Sequence, residues 1–536
     1  MKLKKNKNKK IEIFDTTLRD GAQTPGVSFS VTDKLRIVEI LDDFGVDYIE
    51  GGWPGSNPKD VEFFEKVKDL KLKHAQIVAF GSTRRKNIKP QQDQNLLAIV
   101  NSGVKVACIF GKTWTLHVEK ALETTLEENL NMIYDSIKFL KENGLTVFYD
   151  AEHFFDGYKA DKIYALKCIQ TAYEAGAECI VMADTNGGTL PSEVGRIVKE
   201  VKEFFESKSI NVKLGIHAHN DSDCAVANTI VAVENGCVHV QGTINGLGER
   251  CGNANLCSVI PNLTFKLGYQ TVPKENIKKL TEVSLDIYEI SNLVPNERQP
   301  YVGQSAFTHK GGVHASAVAK VTRSYEHIDP KLVGNERKIL ISELAGKSNL
   351  LFKKHKLKIN FSDEDINKLI KIVKQKEYEG YSFENAEGSF IVLTAKTLGL
   401  YKPIFKINGF RVIVEYKLEK NNIVTEATLK LVIGEKEEHV VAEGDGPVNA
   451  LDNALRKALL KYYPQLKDVK LMDFKVRVIN PQSGTAAKVR VNIESMYKGE
   501  VWNTVGVSEN IIEASWKALT DAIDYVLLTK FRKLRR

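Results

Sequence analysis

The sequence predicts an α/β protein: a TIM (β/α)8 barrel, then a helical linker subdomain, then a C-terminal α+β domain made of a duplicated βββα unit. Two observations predict the barrel. From residue 11 to about 265, short apolar runs alternate with helix-length amphipathic segments, the pattern of parallel strands joined by helical crossovers. The alternation gives eight strand-helix units, and eight units in about 250 residues is the size and count of a closed barrel. An open doubly wound sheet more often has roughly five or six strands and a glycine-rich first turn. The first turn here, TTLRDGAQTPG, lacks GxGxxG. A third observation sets the C-terminal part apart, an internal repeat at an offset near 64 residues.

Taken in order, strands are expected at Ile11–Asp15, Tyr48–Trp53, Gln76–Phe80, Val104–Phe110, Thr146–His153, Cys179–Asp184, Lys213–Asn220 and His239–Asn245. On this fold catalytic groups sit where strands end and the following loops begin. The expected strand ends are strongly polar: Asp15 to Asp20, Asp150 to His153, Asp184 to Asn186, His217 to Asp221 and Asn245 to Asn255. A barrel kept only as scaffold needs no such convergence. Residues 266–400 read as helical linker, with a turn-rich insert, QPYVGQSAFTHKGGVHASAVAK, whose glycines and histidines mark a functional loop. In 401–536, FRVIV at Phe410 resembles FKVRV at Phe474, and PVNALDNAL at Pro447 resembles IIEASWKAL at Ile511. Each copy reads strand, strand, strand, helix, with alternating apolar positions Ala427, Leu429, Leu431 and Val489, Val491, Ile493. Such a unit suits dimerisation or effector binding, or is simply a further structural domain.

Composition narrows the class. The 536 residues carry a net charge of +8, which taken alone would point to nucleic acid or an acidic membrane. Six lysines lie in residues 1–10 and five basic residues in the last seven, so the two ends hold more than the whole excess. The body is slightly acidic, and the ends read as solvated, disordered tails, with no nucleic acid and no membrane partner expected. Seven cysteines without a CxxC pair read as reduced thiols, and neither a long apolar span nor a leader peptide is evident, so a cytoplasmic protein is expected.

The chemistry begins at strand seven. His217 and His219 lie two apart, so both project to one face, which in a barrel is the interior. Two imidazoles crowded there suit a divalent metal, although a lone HxH also occurs innocently. Asp20 follows the first strand and Asn253 the eighth, adding an anionic and a neutral oxygen to make an open mixed N/O site. Alternatively Asp20 is a turn or N-cap aspartate and Asn253 a turn residue. Arg19 supplies a permanently charged donor for a developing oxyanion, or else a salt bridge across the rim.

These residues resemble a family, the DRE-TIM metallolyases, and within it the 2-isopropylmalate, homocitrate and citramalate synthases. The matching text is DTTLRDGAQTPG, HAHND, QGTINGLGERCGN, HKGGVHASAV and the duplicated C-terminal domain. The resemblance covers nearly the whole chain between the tails. It implies a Claisen-type condensation of acetyl-CoA with a 2-oxo acid, followed by thioester hydrolysis, in a homodimer. It further implies Asp20, His217, His219 and Asn253 as ligands of a divalent metal, which the ligand types leave open among Mn²⁺, Zn²⁺, Co²⁺ and Mg²⁺. Arg19 would steady the enolate or oxo-acid oxygen, Glu152 matches the strand-five glutamate, and Thr185 the threonine that binds the oxo-acid carboxylate. His314 and Tyr325 resemble the pair that a partner subunit sends into the active site. As base, His314 comes first and Glu152 second, because histidine titrates near working pH. The sequence departs from the family pattern at His153, at Asp223 and in the HKGG loop.

FGSTRRKN, FGKTWTLHV and YEHIDPKLVGNERKILISELAGKSN are most similar to long members whose acceptor is pyruvate, with feedback control by isoleucine implied at the C-terminal domain. The competing acceptor, 2-oxoisovalerate, differs by two methyl groups, each worth roughly 1 to 3 kcal/mol in a pocket. Trp53 and Phe110 either shrink that pocket or serve as core aromatics. Against the synthase stand a lyase or aldolase, which would lack the C-terminal repeat, and a metal-dependent regulator using its tails on nucleic acid. Gly346, Lys347 and Ser348 resemble the end of a P-loop, but isoleucine stands at 341 where its first glycine belongs.

Overall fold

The structure, a computed structural model, describes residues 9–339, 362–401, 403–417, 422–479 and 481–531. Residues 1–8, most of the C-terminal basic run, and the stretch with Gly346, Lys347 and Ser348 lie outside the described residues. The chain divides into two compact units, Met1–Phe307 with His327–Arg337 and Thr308–Glu326 with Lys338–Arg536. The segment expected as helical linker is therefore shared between them.

The first unit is a closed parallel barrel of eight strands: β1 (Glu12–Asp15), β2 (Tyr48–Gly52), β3 (Gln76–Ser82), β4 (Val106–Lys112), β5 (Thr146–Glu152), β6 (Cys179–Asp184), β7 (Lys213–Ala218) and β8 (His239–Gly242). Closure is made by β1 against β8, with Glu12 opposite His239 and Asp15 opposite Gly242. The two-residue period of each strand separates two cores. Ile13, Ile49, Ala107, Ile180 and Val240 face outward and pack with helix residues such as Ile37, Leu41 and Val198. Phe14, Val78, Val106, Phe148 and Val181 face inward and fill the lower barrel. That filling makes the lower barrel a plug, so polar side chains on the same inward rows are carried up to the C-terminal mouth. Helix boundaries follow local chemistry: Ser30 and Asp33 form a capping box that starts Val31–Phe44, and Gly45 ends it at φ 96°.

The second unit opens with two two-residue strands, β9 (Thr308–His309) and β10 (Lys338–Ile339), and the helix Gly312–Lys320. Two antiparallel sheets follow. One is β11 (Phe405–Lys417), β12 (Asn422–Ile433) and β13 (Lys436–Gly444); the other is β14 (Lys470–Val478), β15 (Val489–Tyr497) and β16 (Glu500–Ser508). Each is followed by a helix, Pro447–Leu459 or Ile511–Val526, that packs on its own sheet. Ala427, Leu429 and Leu431 are fully buried on the first sheet, as are Val491 and Ile493 on the second. The repeat extends to a defect: β11 bulges between Ile407 and Gly409, and β14 bulges between Leu471 and Asp473, 64 residues later.

Close helix-sheet approach depends on glycine in both copies. A Cβ on Gly506 would lie 2.0 Å from the carbonyl oxygen of Ala514, and one on Gly444 would lie 2.4 Å from Ala450 N. Gly506→Ala is expected to destabilise the second unit by about 1–3 kcal/mol, an overpacking penalty, whereas Gly409→Ala, which meets nothing within 4 Å, is near neutral. Denaturant unfolding of the two variants checks this, and equal midpoints would contradict the described packing.

Candidate active site

The turn after β1 builds the centre of the mouth. Asp15 accepts hydrogen bonds from the backbone N–H and hydroxyl of Thr17, both at 2.9 Å, and Thr17 Oγ1 accepts from Ile244 N at 3.0 Å. This knot throws Arg19 and Asp20 back over the barrel axis. Asp20 precedes the short turn Gly21–Gln23, yet its side chain caps nothing there. Its Oδ1 instead accepts from Asn253 Nδ2 at 2.9 Å, and its Oδ2 lies 3.7 Å from Nε2 of both His217 and His219.

The two imidazoles rise from β7, their Nε2 atoms 3.3 Å apart, and the Nδ1 of His217 meets Gln241 Oε1 at 3.0 Å. Asn253 reaches them through an isolated β-bridge with His219. Gly248 permits this, since at φ 154° any Cβ it carried would fall 2.1 Å from Asn253 Nδ2. Asn253 Oδ1 and His219 Nδ1 are buried without a hydrogen-bond partner. Burial would raise the Asp20 carboxyl, but Arg19 and the two histidines hold it far below the ordinary range. Burial pushes His217 down to about 3, with His219 beside it adding to the effect, and burial also lowers His219. Both rings are thus neutral at physiological pH and Asp20 is anionic.

Among the described residues, Asp20, His217 and His219 are the group of three His, Cys, Asp or Glu side chains whose ligand atoms lie within 4.8 Å of one another. One carboxylate, two neutral imidazoles and an unpartnered amide oxygen are the donor chemistry a divalent cation takes, and orphaned buried acceptors need one. The residues fit a metal.

Arg19 spans the mouth. Its Nε donates to Glu50 Oε2 at 2.6 Å, its Nη1 to Asp20 Oδ2 at 2.9 Å, and its guanidinium lies 3.9 Å from the centroid of Phe80. Burial opposes its charge, but Glu50 and Asp20 hold the proton more tightly than usual. Phe80 stacks with Phe110 at 5.4 Å, and Trp53 meets both edge-on at 5.7 Å, so Trp53 and Phe110 are half-buried parts of an aromatic wall.

On the other side of the mouth, β5 directs Asp150 and Glu152 inward. Burial, with Glu152 and Glu50 adding against the pull of Arg19, raises Asp150 to about 8. Glu152 is paired with Lys112. Thr185 Oγ1, just past β6, accepts from the backbone N–H of His153 at 2.8 Å, and His153 takes a left-handed φ of 53° to make that bond while its Nδ1 meets Asp156 at 2.9 Å. The barrel therefore gathers Arg19, Asp20, His217, His219 and Asn253 at one point, with Glu152 and Thr185 on neighbouring strand ends. His314 and Tyr325 belong to the second unit, where their rings stack at 4.1 Å.

Glu50, Phe80 and Gln241 join the site with no motif to mark them, and Asp150, expected only as part of a polar strand end, is buried within it. Each stands on an inward row of a barrel strand, and Glu50 and Asp150 are acids set among apolar neighbours in YIEGG and TVFYDAE. A buried acid at an inward period-two position needs a cation or a proton, and that was the signal available.

Comparison with known proteins agrees with this geometry. Residues 10–292 match the HMGL-like family, 301–380 a homocitrate synthase post-HMGL domain, and 360–527 a LeuA allosteric (dimerisation) domain. An (R)-citramalate synthase of Geobacter sulfurreducens is 52% identical over 519 residues, covering 96% of this chain and 97% of that protein. One of Aquifex aeolicus is 53% identical, covering 97% and 98%. A 2-isopropylmalate synthase of Methanocaldococcus jannaschii is 33% identical, covering 97% and 95%. Among the described residues no helix is long and apolar enough to cross a membrane.

The depressed histidines set a pH dependence. In the metal-free chain the unfolded state binds a proton at His217 below pH 6.5, and the folded state does so only near 3. The stability it contributes is therefore full above 6.5 and is lost as pH falls toward 3, by at most about 1.4 kcal/mol per pH unit for one proton. In chelator-treated protein, His217→Gln is expected to flatten the pH dependence of unfolding between pH 6.5 and 4. An unchanged slope would mean that the ring is not buried in its neutral form.

Proposed function

We propose, for a chain that belongs to the HMGL-like family and within it to the branch of the (R)-citramalate synthases, that it condenses acetyl-CoA with pyruvate to give citramalate and free CoA, on the route to isoleucine. The observation that carries the acceptor is the contrast in identity: 52–53% to (R)-citramalate synthases against 33% to a 2-isopropylmalate synthase, over equal shares of the chain. Trp53, Phe80 and Phe110 beside Arg19 support the smaller acceptor, since three rings take room that an isopropyl group would need.

Asp20, His217 and His219, with the amide oxygen of Asn253, would hold a divalent cation, Mn²⁺, Mg²⁺ or Zn²⁺, which polarises the keto group of the acceptor when bound. Arg19 is clamped by Glu50 and Asp20 through Nε and Nη1, which leaves Nη2 to donate to the oxygen where negative charge develops. Thr185 accepts from His153 N–H, which leaves its own hydroxyl proton to donate to a substrate carboxylate. The methyl proton of acetyl-CoA goes to His314, assisted by Tyr325, both supplied by a second copy of the chain. Glu152, already paired with Lys112, orients the pocket and is the weaker candidate base. The duplicated C-terminal domain would carry dimerisation and an isoleucine effector site, in keeping with its match to a LeuA allosteric domain. A cytoplasmic setting suits reduced thiols, and the seven cysteines are all free.

Release of CoA with a panel of 2-oxo acids tests the acceptor. Pyruvate is expected to exceed 2-oxoisovalerate by at least about tenfold in kcat/KM, and the reverse order would defeat the assignment. Chelator is expected to abolish turnover, and added Mn²⁺ or Mg²⁺ to restore it. His314→Asn should lower kcat by roughly 100-fold or more with a smaller change in KM for pyruvate, as loss of a general base does. Glu152→Gln should cost about tenfold; the opposite ranking would move the base to Glu152.

A further inference from the structure

His217 is the upper end of a line of hydrogen bonds that descends inside the barrel. Its Nδ1 lies 3.0 Å from Gln241 Oε1, the amide Nε2 lies 3.3 Å from His239 Nε2, and His239 Nδ1 lies 3.1 Å from Glu12 Oε2. Glu12 Oε1 then accepts from Lys213 Nζ at 2.9 Å. The strand registers align these groups, with Glu12 and Gly215 opposite His239 and His217 opposite Gln241. His239 and Gln241 have zero exposure, and Phe14, Tyr48 and Phe148 surround the His239 ring at 5.0–5.9 Å. Nothing in the proposed reaction uses Gln241, His239 or Glu12.

The chemistry of the lower end fixes the direction of the whole line. A carboxylate only accepts, so Glu12 requires a proton on His239 Nδ1, and the amide nitrogen of Gln241 only donates, so the lone pair of that ring faces it on Nε2. His239 Nε2 is then an acceptor and needs an N–H, which the Gln241 amide supplies only with its Oε1 turned toward His217. That oxygen in turn needs a proton on His217 Nδ1. His217 is left with its lone pair on Nε2, the atom that faces Asp20 and His219. Were the line reversed, Nε2 would carry the proton and could not ligate a cation. Burial would raise Glu12, but His239 and Lys213 hold it at about 2, so the lower end stays an acceptor across the physiological range.

We propose that Gln241 and, through His239, Glu12 at the opposite end of the barrel are positioning residues for the metal site, holding His217 in the Nδ1–H tautomer that presents Nε2 to a divalent cation. The inference rests on reading Asp20, His217 and His219 as metal ligands. Partners of this kind typically control metal affinity by about 10- to 100-fold.

The test titrates the full-length, chelator-stripped chain with Mn²⁺ alone and with Zn²⁺ alone, and reads the His217 tautomer from the ¹⁵N shifts of labelled histidine. Gln241→Leu is expected to weaken binding by about 10- to 100-fold. Gln241→Glu is expected to keep near-native affinity, because a carboxylate also accepts from His217 Nδ1–H. Glu12→Gln, of the same shape and far from the mouth, lets the line run either way, and is expected to weaken binding about two- to tenfold with a mixed tautomer. Equal loss in Gln241→Leu and Gln241→Glu, or native affinity in both Gln241→Leu and Glu12→Gln while His217→Ala binds nothing, would overturn the proposal alone. Native affinity in His217→Ala, or no binding by the unaltered chain, would overturn the metal reading and the proposal with it.

Discussion

The guanidinium of Arg19 lies between Glu50, which has no exposure at all, and Asp20 on the barrel axis. Removing it would leave buried carboxylates facing one another in a medium of low dielectric, a situation costing about 3–5 kcal/mol when one member of a buried pair is lost. A lysine would not replace it, because one ammonium cannot donate from two fixed nitrogens while its flat face rests on Phe80. With Arg19 in place, Asp20 stays ionised and its two oxygens are divided between Asn253 and the histidines. The shape of the mouth follows from this one cation, and so does the availability of an anionic oxygen at its centre.

The barrel was legible because its signal is periodic and repeated. Eight apolar runs separated by amphipathic segments leave few other closures, and the same two-residue period is enough to put His217 and His219 on one interior face. The strand limits were less legible: Trp53 and His153 fall just beyond β2 and β5, where a bulge and a left-handed residue end the ladder. Glu50, Asp150 and Gln241 were hidden for a different reason. Their importance lies in what faces them across the barrel: an acid among apolar residues in YIEGG signals that a partner is needed, but which partner it meets, tens to hundreds of residues away, is not written locally. His314 and Tyr325 stand in two motifs that read clearly, yet the stacking of their rings in the second unit joins residues that neither motif alone brings together.

The C-terminal repeat shows how far duplication can be traced by physics. The matching apolar alternation was visible in sequence, but the shared bulge was not, because a bulge is a property of the pairing between two strands. Its presence at the same offset in both sheets means that strand curvature was copied along with the hydrophobic face, whereas the glycines under the two helices, Gly444 and Gly506, occupy different places in the repeat, aligned with Ser508 and Ala442 of the other copy.

The circumference of the barrel also carries a division of labour. The side chains with the donor chemistry for a cation come from the ends of β1, β7 and β8, the hydroxyl and carboxyl groups from β5 and β6, and the aromatic wall from β2, β3 and β4. These arcs are separate stretches of chain resting on one rigid frame. Arg19 ties the arcs together, since it leaves the turn after β1, donates to Glu50 on β2 and rests its flat face on Phe80 of β3. A change in the aromatic arc is therefore passed to Asp20 through that one side chain, and the rim behaves as a mechanically coupled ring.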